Sequence, residues 1–303
     1  MSKYLVTGGA GFIGTNIVNQ LLTDGHEVVV LDNYAGGYKE ERIQKGAEYV
    51  KGDIRNMDDL NRVMSGVEGV FHLAAVPRVT YSVEHPQETN EVNITGTLNV
   101  LVAARDNKVR RVIFSSSSAV YGGAVNRKPL QEDMKAMPIS PYALHKYTGE
   151  GYCRIFSELF GLETVSLRYF NVYGPYFDPE GAYALVVGKF IKQVKNGEPM
   201  TVCGDGEYYR DYTHVSDIVR ANILAMNNTS VGKGEVFNIG NGHPYSVNDL
   251  VKMIGGKFVF IDSRPGDVRY TEADNSKAKK ILGWEPTIGL KEGIRQLTAE
   301  WGM

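Results

Sequence analysis

Cysteine is nearly absent from this chain: Cys153 and Cys203 are the only two in 303 residues. Two cysteines build neither a disulfide framework nor a multi-cysteine zinc site. The six histidines (26, 72, 85, 145, 214 and 243) include no His-x-x-x-His pair, so no metal is expected. No apolar run approaches the roughly 18 residues a membrane span needs. The net charge of −2 gives no electrostatic case for nucleic acid or an anionic membrane as partner. Any anionic ligand must be held by a few local cations. Internal repeats and low-complexity linkers are missing too. Met1-Ser2-Lys3-Tyr4 runs directly into a strand pattern, so no signal peptide is expected and the location is read as cytoplasmic.

What is present has the texture of a globular protein, 43% hydrophobic and 22% charged, long enough for a large core in one or two domains. Lys3 to Thr7 reads as a strand. Gly8-Gly9-Ala10-Gly11-Phe12-Ile13-Gly14 follows, then a helical pattern with Ile13, Ile17, Val18, Leu21 and Leu22 on one face. A second buried strand, Glu27 to Leu31, ends in Asp32-Asn33, with Asp32 18 residues beyond Gly14. A glycine cluster alone is often just a turn. Between strand and helix, with an acid at this spacing, it suits a dinucleotide whose pyrophosphate lies at the helix N-terminus. Asp32 would accept hydrogen bonds from the adenosine ribose and repel a 2′-phosphate, which favours NAD over NADP.

Further strands are expected near 49–54, 70–75, 111–115 and 164–168, with a long helix over 87–106. Buried runs alternating with helices predict an α/β fold: a doubly wound parallel sheet of the Rossmann kind, with ligands at the carboxyl ends of its strands. After about residue 170 the pattern changes. A loop rich in Gly, Pro and Tyr leads to helices near 183–196, 216–226, 246–254, 276–282 and 289–301 and short strands near 200–203 and 235–239. This reads as a smaller C-terminal α/β lobe.

The stretch 114–146 carries the candidate chemistry. A strand empties into Ser115, Ser116, Ser117 and Ser118, then Ala119-Val120-Tyr121-Gly122, and later Tyr142-Ala143-Leu144-His145-Lys146. Of 18 tyrosines, Tyr142 is the only one with a lysine four residues on, which puts both on one helix face. Tyrosine is a poor base at its ordinary pKa of about 10. A neighbouring ammonium favours phenolate and lowers that value.

These motifs, with Leu167-Arg168-Tyr169-Phe170-Asn171, resemble the extended short-chain dehydrogenase/reductase superfamily. Within it the chain is similar to the UDP-hexose 4-epimerases, over nearly its whole length. The resemblance implies residues 1–170 as NAD-binding domain and 171–303 as nucleotide-sugar lobe, with interleaved segments allowed. It implies Ser117, Tyr142 and Lys146 as the catalytic group, with Ser116 the alternative serine. Tyr142 would take a sugar proton while hydride leaves the same carbon for NAD, and the 4-keto sugar would turn over and take hydride back on its other face. Around the cofactor it implies Gly8, Gly11, Phe12, Ile13, Gly14, Asp32, Asn33, Asp53, Ile54, Leu73, Ala74, Ala75, Arg78, Asn93 and Tyr169, with Tyr142 and Lys146 touching it as well.

For the UDP-sugar the resemblance implies Ser117, Asn171, Arg210, Arg264, Asp267 and Thr271. Arg210 and Arg264 match the diphosphate-binding arginines, suited to bidentate contacts. Asp211, Asp217 and His214 read as supporting or capping groups. Dehydratases of the family need an added acid pair after the catalytic hydroxyl, and decarboxylases usually carry a Glu just before Val-Tyr-Gly. Here those positions hold Ser118 and Ala119, which favours epimerisation. A bulky Tyr seven residues after the second arginine excludes N-acetyl sugars in the family. That position is Thr271, so plain and N-acetylated hexoses are both expected to fit, although Tyr270 beside it reverses the choice if the register shifts by one. The rival readings are another family epimerase, a net dehydrogenase, reductase or dehydratase, and a non-catalytic NAD-binding regulator. Family members form homodimers through helices matching 87–106 and 142–158, whose apolar faces could equally be core.

Overall fold

The chain opens with β1 (Lys3–Thr7), α1 (Phe12–Thr23), β2 (Glu27–Asp32), β3 (Glu48–Lys51), α2 (Met57–Met64) and β4 (Gly69–His72). Three helices follow, α3 (Val79–Glu84), α4 (Pro86–Asn90) and α5 (Gly96–Asp106), then β5 (Arg111–Ser117), α6 (Pro141–Phe160) and β6 (Glu163–Tyr169). The second half supplies β7 (Val172–Tyr173), α7 (Val186–Lys195), β8 (Met200–Cys203), β9 (Tyr209–Asp211), β10 (Thr213–His214), α8 (Val215–Asn227) and β11 (Lys233–Ile239). It ends with β12 (Pro244–Ser246), α9 (Val247–Ile254), β13 (Phe258–Ile261), α10 (Ser276–Leu282) and α11 (Leu290–Glu300). The computed structural model describes residues 1–123, 127–177, 186–263 and 268–303.

Seven strands form one parallel sheet in the order β11-β6-β5-β4-β1-β2-β3. Its strands are apolar on both faces, as a sheet covered on both sides requires. Val6, Val28, Val30, Phe71 and Ile113 face one layer with Ile17 and Leu21 of α1 and Ile218 and Ala225 of α8. Leu5, Val29, Leu31, Val70 and Phe114 alternate with them and face α2, α5 and α6. Chain direction through the sheet reverses between β1 and β4, which opens a crevice at their carboxyl ends.

Segments α8 and β11 come from beyond residue 170 yet complete this sheet and its outer layer. The remainder of the second half packs around Tyr173, Phe190, Ile191, Met200, Val202, Leu250 and Ile294, with three two-stranded pieces, β7–β10, β9–β12 and β8–β13. The predicted single helix over 87–106 is interrupted: Glu91–Thr95 forms a wider π turn between α4 and α5. Such turns mark a side chain taken out of the helical register. Here Asn93 turns inward, accepting a bond from Val76 N at 2.7 Å and donating to Val76 O at 3.0 Å. Of the helix expected near 183–196, residues 183–185 lie outside the described residues. No described helix is long and apolar enough to cross a membrane.

Candidate active site

Helix α6 begins where its sequence says it should. Ser140 caps it by accepting Ala143 N at 3.2 Å, Pro141 takes the first turn, and Gly161 closes it with a φ of 70°. This start places Tyr142 in the first turn, its backbone N–H bonded to Ser82 Oγ of α3 at 3.1 Å. Lys146 lies one turn further along the same face. Both are buried.

Ser117 ends β5, its Oγ accepting Ala119 N at 3.2 Å. Its hydroxyl is near enough to the Tyr142 phenol to pull that group's pKa down. Burial raises the Tyr142 pKa above its ordinary value of 10, and Ser117 works against that rise. Lys146 Nζ donates to Ser115 O at 2.6 Å and lies 5.0 Å from the Phe114 ring centre and 6.0 Å from that of Tyr142. Burial depresses its pKa to about 8 against the opposing pull of the Glu150 carboxylate. His145 beside it is also pushed down, first by burial and then by Lys146.

The other serines are committed elsewhere. Ser116 Oγ donates to Glu150 Oε1 at 2.5 Å, and Ser115 Oγ bonds Tyr169 OH at 3.1 Å. Strand alternation separates them: Phe114 and Ser116 face α6, while Ser115 faces α8. Ser117 is thus the serine brought to Tyr142.

At the crevice, Gly8 has a φ of +72°, and a Cβ there would lie 2.7 Å from Ala74 N. A Cβ on Gly14 would lie 2.3 Å from Gly8 O. Both sites therefore require glycine, and the β1 turn, the β4 end and α1 meet backbone to backbone. Phe12, Ile13 and Gly14 form the first turn of α1, whose N-cap Gly11 offers no side-chain cap, an arrangement open to an anion. Asp32 Oδ2 accepts Ala10 N at 3.0 Å and Oδ1 accepts Tyr34 N at 2.8 Å, while burial raises its pKa. These residues fit a dinucleotide.

The remaining cofactor candidates are spread along the same edge. Asn33 Nδ2 donates to Asp53 at 3.0 Å, and Asp53, paired with Arg55 at 2.7 Å, is held down to about 2 by that partner. Ile54 is buried and abuts Gly96. Leu73 N bonds Thr7 O, and Ala74 and Ala75 follow it towards the Val76 turn clamped by Asn93. Arg78 starts α3 with its guanidinium 5.8 Å from the Tyr81 ring centre. The Tyr169 hydroxyl points into a buried network with Ser115 and Asn222 and is pushed up to about 12 by burial.

On the substrate side, Asn171 Nδ2 donates to Asp211 O at 3.1 Å from a backbone with φ +20°. Arg210 Nη1 donates to Tyr209 O at 3.0 Å, with its guanidinium 6.0 Å from the Tyr208 ring. Thr271 is buried, its N–H bonded to Tyr209 O at 3.1 Å. Arg264 and Asp267 lie outside the described residues. Asp211 accepts bonds from Asn241 N, Gly242 N and Ala273 N, and burial lifts its pKa to about 6 against those donors. His214 caps α8, and Asp217 binds Thr287 and Ile288 N–H groups. Among the described residues, no cluster of three or more His, Cys, Asp or Glu is placed to hold a metal ion.

A buried ion pair went unread in the sequence. Glu150 meets Arg168 through two bonds of 2.8 and 2.7 Å, both side chains 4% exposed. The signal was there, since Tyr142, Lys146 and Glu150 are spaced by four along one helix.

A profile of the NAD dependent epimerase/dehydratase family matches residues 4–240. The chain belongs to this family. It is 39% identical to a UDP-glucose 4-epimerase of Mycolicibacterium smegmatis, over 96% of each chain. Among solved structures, UDP-glucose 4-epimerase of Thermotoga maritima with UDP-glucose superposes with a TM-score of 0.94 at 41% identity, covering 99% of this chain and 98% of that one. UDP-N-acetylglucosamine 4-epimerase of Methanobrevibacter ruminantium, in complex with UDP-N-acetylmuramic acid, gives 0.92 at 36% over the same shares. The doubly wound fold expected from the sequence is thus the fold of this epimerase family.

Proposed function

We propose that this enzyme interconverts the C4 epimers of a UDP-hexose, UDP-glucose and UDP-galactose, through a transient 4-keto sugar with NAD as resident cofactor. One observation carries the reading: α6 brings Tyr142 and, one turn on, Lys146 to the end of β5, where Lys146 binds Ser115 O beside Ser117 and positions 118 and 119 are Ser and Ala. No carboxylate stands there for dehydration or decarboxylation. The division of labour follows the two lobes, the dinucleotide on residues 1–170 and the nucleotide sugar on 171–303, with α8 and β11 interleaved into the first.

When bound, NAD supplies the hydride acceptor and donor for C4. The glycine turn from Gly8 to Gly14 and the start of α1 hold its pyrophosphate beside Leu73, Ala74, Ala75 and Arg78. Asp32 accepts from the adenosine ribose, Asn33, Asp53 and Ile54 border the adenine, and Lys146 holds the nicotinamide ribose. Asn93 and Tyr169 keep these walls in place. Tyr142 as phenolate takes the proton of the C4 hydroxyl and returns it after the sugar has turned. Ser117 hydrogen-bonds that oxygen and keeps it in line. The Lys146 ammonium favours the phenolate. Arg210 and Asn171 bind the diphosphate, with Arg264 on it and Asp267 on the uridine ribose.

Sugar choice rests on Thr271. The Tyr270 ring lies 5.9 Å from that of Tyr209, and its hydroxyl bonds Glu272. On extended backbone the next side chain points the other way, which supports the reading of the small Thr271, and not Tyr270, as the side chain beside the sugar. This supports acceptance of N-acetylated hexoses as well. The test incubates the protein with UDP-glucose and UDP-N-acetylglucosamine separately, without added NAD, and follows the anomeric NMR signals. Both should epimerise, NADH should not accumulate, and Tyr142→Phe should lose at least about a hundredfold in kcat. Net NADH would favour a dehydrogenase, and turnover of the plain hexose alone would overturn the reading of Thr271.

The exposed face of α6 is proposed to pair with a second copy, supported by Leu144, Tyr147, Leu159 and Phe160, which are 45–71% exposed. Light scattering on the eluting protein should give twice the chain mass, and Leu159→Glu should halve it. Two free cysteines accord with a cytoplasmic location.

A further inference from the structure

Three consecutive residues at the end of β5 are gripped by one face of α6. Ser117 lies by the Tyr142 phenol and draws its pKa down, Ser115 O takes the Lys146 ammonium, and Ser116 Oγ donates to Glu150. The first two contacts belong to the proposed catalytic group. The third ends on a carboxylate that is itself held by Arg168, whose guanidinium lies 4.6 Å from the Tyr121 ring centre. Tyr121 in turn donates to Asn238 of β11 at 2.7 Å. A buried ion pair is poor evidence of a stability role, because well-packed apolar side chains of similar volume often serve as well. Its place directly behind the catalytic serine calls for another account.

We propose that Glu150 is a positioning residue that fixes the strand end carrying Ser117 and supplies the counter-charge that keeps Lys146 an ammonium. This rests on the epimerase reading above. The charges around Lys146 can be enumerated from each packed element. On α6 the neighbours are Tyr142, His145, Glu150 and Cys153, on β4 His72, on β6 Arg168, and beyond β5 Tyr121. His72 is depressed to about 3 by burial and by Lys146, and His145 is lowered by the same two causes, so both are neutral at pH 7. Burial pushes Cys153 and Tyr121 up to about 12, which leaves them neutral too. Glu150 is then the anion that opposes the burial of Lys146, with Arg168 as its own partner.

The consequence is a displaced pH profile. The two limbs of turnover belong to the Tyr142 phenol and the Lys146 ammonium together, since burial raises the first and lowers the second. Both are macroscopic steps of a coupled pair. Removing a nearby negative charge favours the deprotonated form at each step. Glu150→Gln should therefore move both limbs of the kcat profile to lower pH by about one unit. Ser116→Ala removes the hydroxyl and keeps the charge, so its limbs should stay in place while kcat falls a few-fold. Glu150→Gln strands a buried Arg168 and could unfold the chain, so Glu150→Gln/Arg168→Met is tested beside it, with the same direction expected.

Phenol ionisation is also read directly, as the ultraviolet difference between the purified protein and its Tyr142→Phe variant across pH. That titration needs no sugar. If the parent protein turns over no UDP-hexose, the functional reading fails and the titration still tests the role of Glu150. If turnover is present and neither Glu150 variant shifts profile or titration, the positioning role is overturned. An acid shift in either variant supports it.

Discussion

Lys146 is 6% exposed, and its ammonium is anchored on the Ser115 carbonyl. In an unfolded chain its pKa would be about 10.4, against about 8 in the folded protein. Between those values the unfolded chain binds more protons, so stability climbs with pH. Below pH 8 the full net penalty is present, about 3 kcal/mol by linkage. Lys146→Met keeps the volume and removes the charge. At pH 7 it should therefore raise Tm by a few degrees while turnover falls at least about a hundredfold. The stability gain should shrink as pH rises from 8 towards 10.4, because the parent protein recovers there and the variant stays flat. Thermal melts across pH check this, and a variant less stable at pH 7 would contradict it. Such a trade is characteristic of catalytic groups held against their solvation preference.

At the scale of elements, α6 matters more than any residue it carries. Gly149 faces Phe114 on β5, and a Cβ built at Gly149 lies 2.4 Å from the Phe114 ring tip. Helix propensity alone would make Gly149→Ala stabilising by about 1 kcal/mol. Overpacking a rigid, buried ring opposes it by about 1–3 kcal/mol, and the clash should win because Phe114 also lies under Lys146. The expected result is a lower denaturation midpoint and a fall in kcat exceeding any rise in KM, since α6 backs away from the strand end that bears Ser117. An unchanged midpoint would mean that the ring gives way. This contact also marks what sequence can and cannot reveal. The alternating strands, the glycine turn and the Tyr142–Lys146 spacing are local patterns, readable because period and backbone geometry dictate them, whereas the choice of Ser117 among four serines comes from the family resemblance. The Glu150–Arg168 pair, the fit of Gly149 on Phe114 and the entry of β11 into the sheet depend on residues distant in the chain. The π turn at Glu91–Thr95 was hidden for the same reason, since Asn93 leaves the helical register to meet Val76.

For the whole molecule, the segment 174–177 is tied to the start of α1 and to Arg42. Arg42, 6% exposed, donates from Nε and Nη2 to Tyr176 O at 3.1 and 2.7 Å. Asn16 of α1 donates to Pro175 O at 3.1 Å, and the Phe12 ring meets Phe177 edge-on at 5.6 Å. Tyr176 holds a φ of +64°, which a tyrosine adopts only when its surroundings insist. Phe12 belongs to the turn assigned to the pyrophosphate, and Asn16 lies one turn further along. The segment 174–177 therefore packs against the same helix end that would hold NAD. An epimerase that returns its hydride gains nothing from releasing the dinucleotide between turnovers. Arg42→Met keeps most of the side-chain volume and breaks both bonds to Tyr176, so the segment should loosen and release of NAD should quicken by about tenfold, equivalent to one charged hydrogen bond of about 1.5 kcal/mol. Rapid desalting followed by enzymatic assay of the NAD left on the protein measures this. Equal retention by the variant and the parent chain would separate this tie from cofactor hold and leave it as a purely structural link.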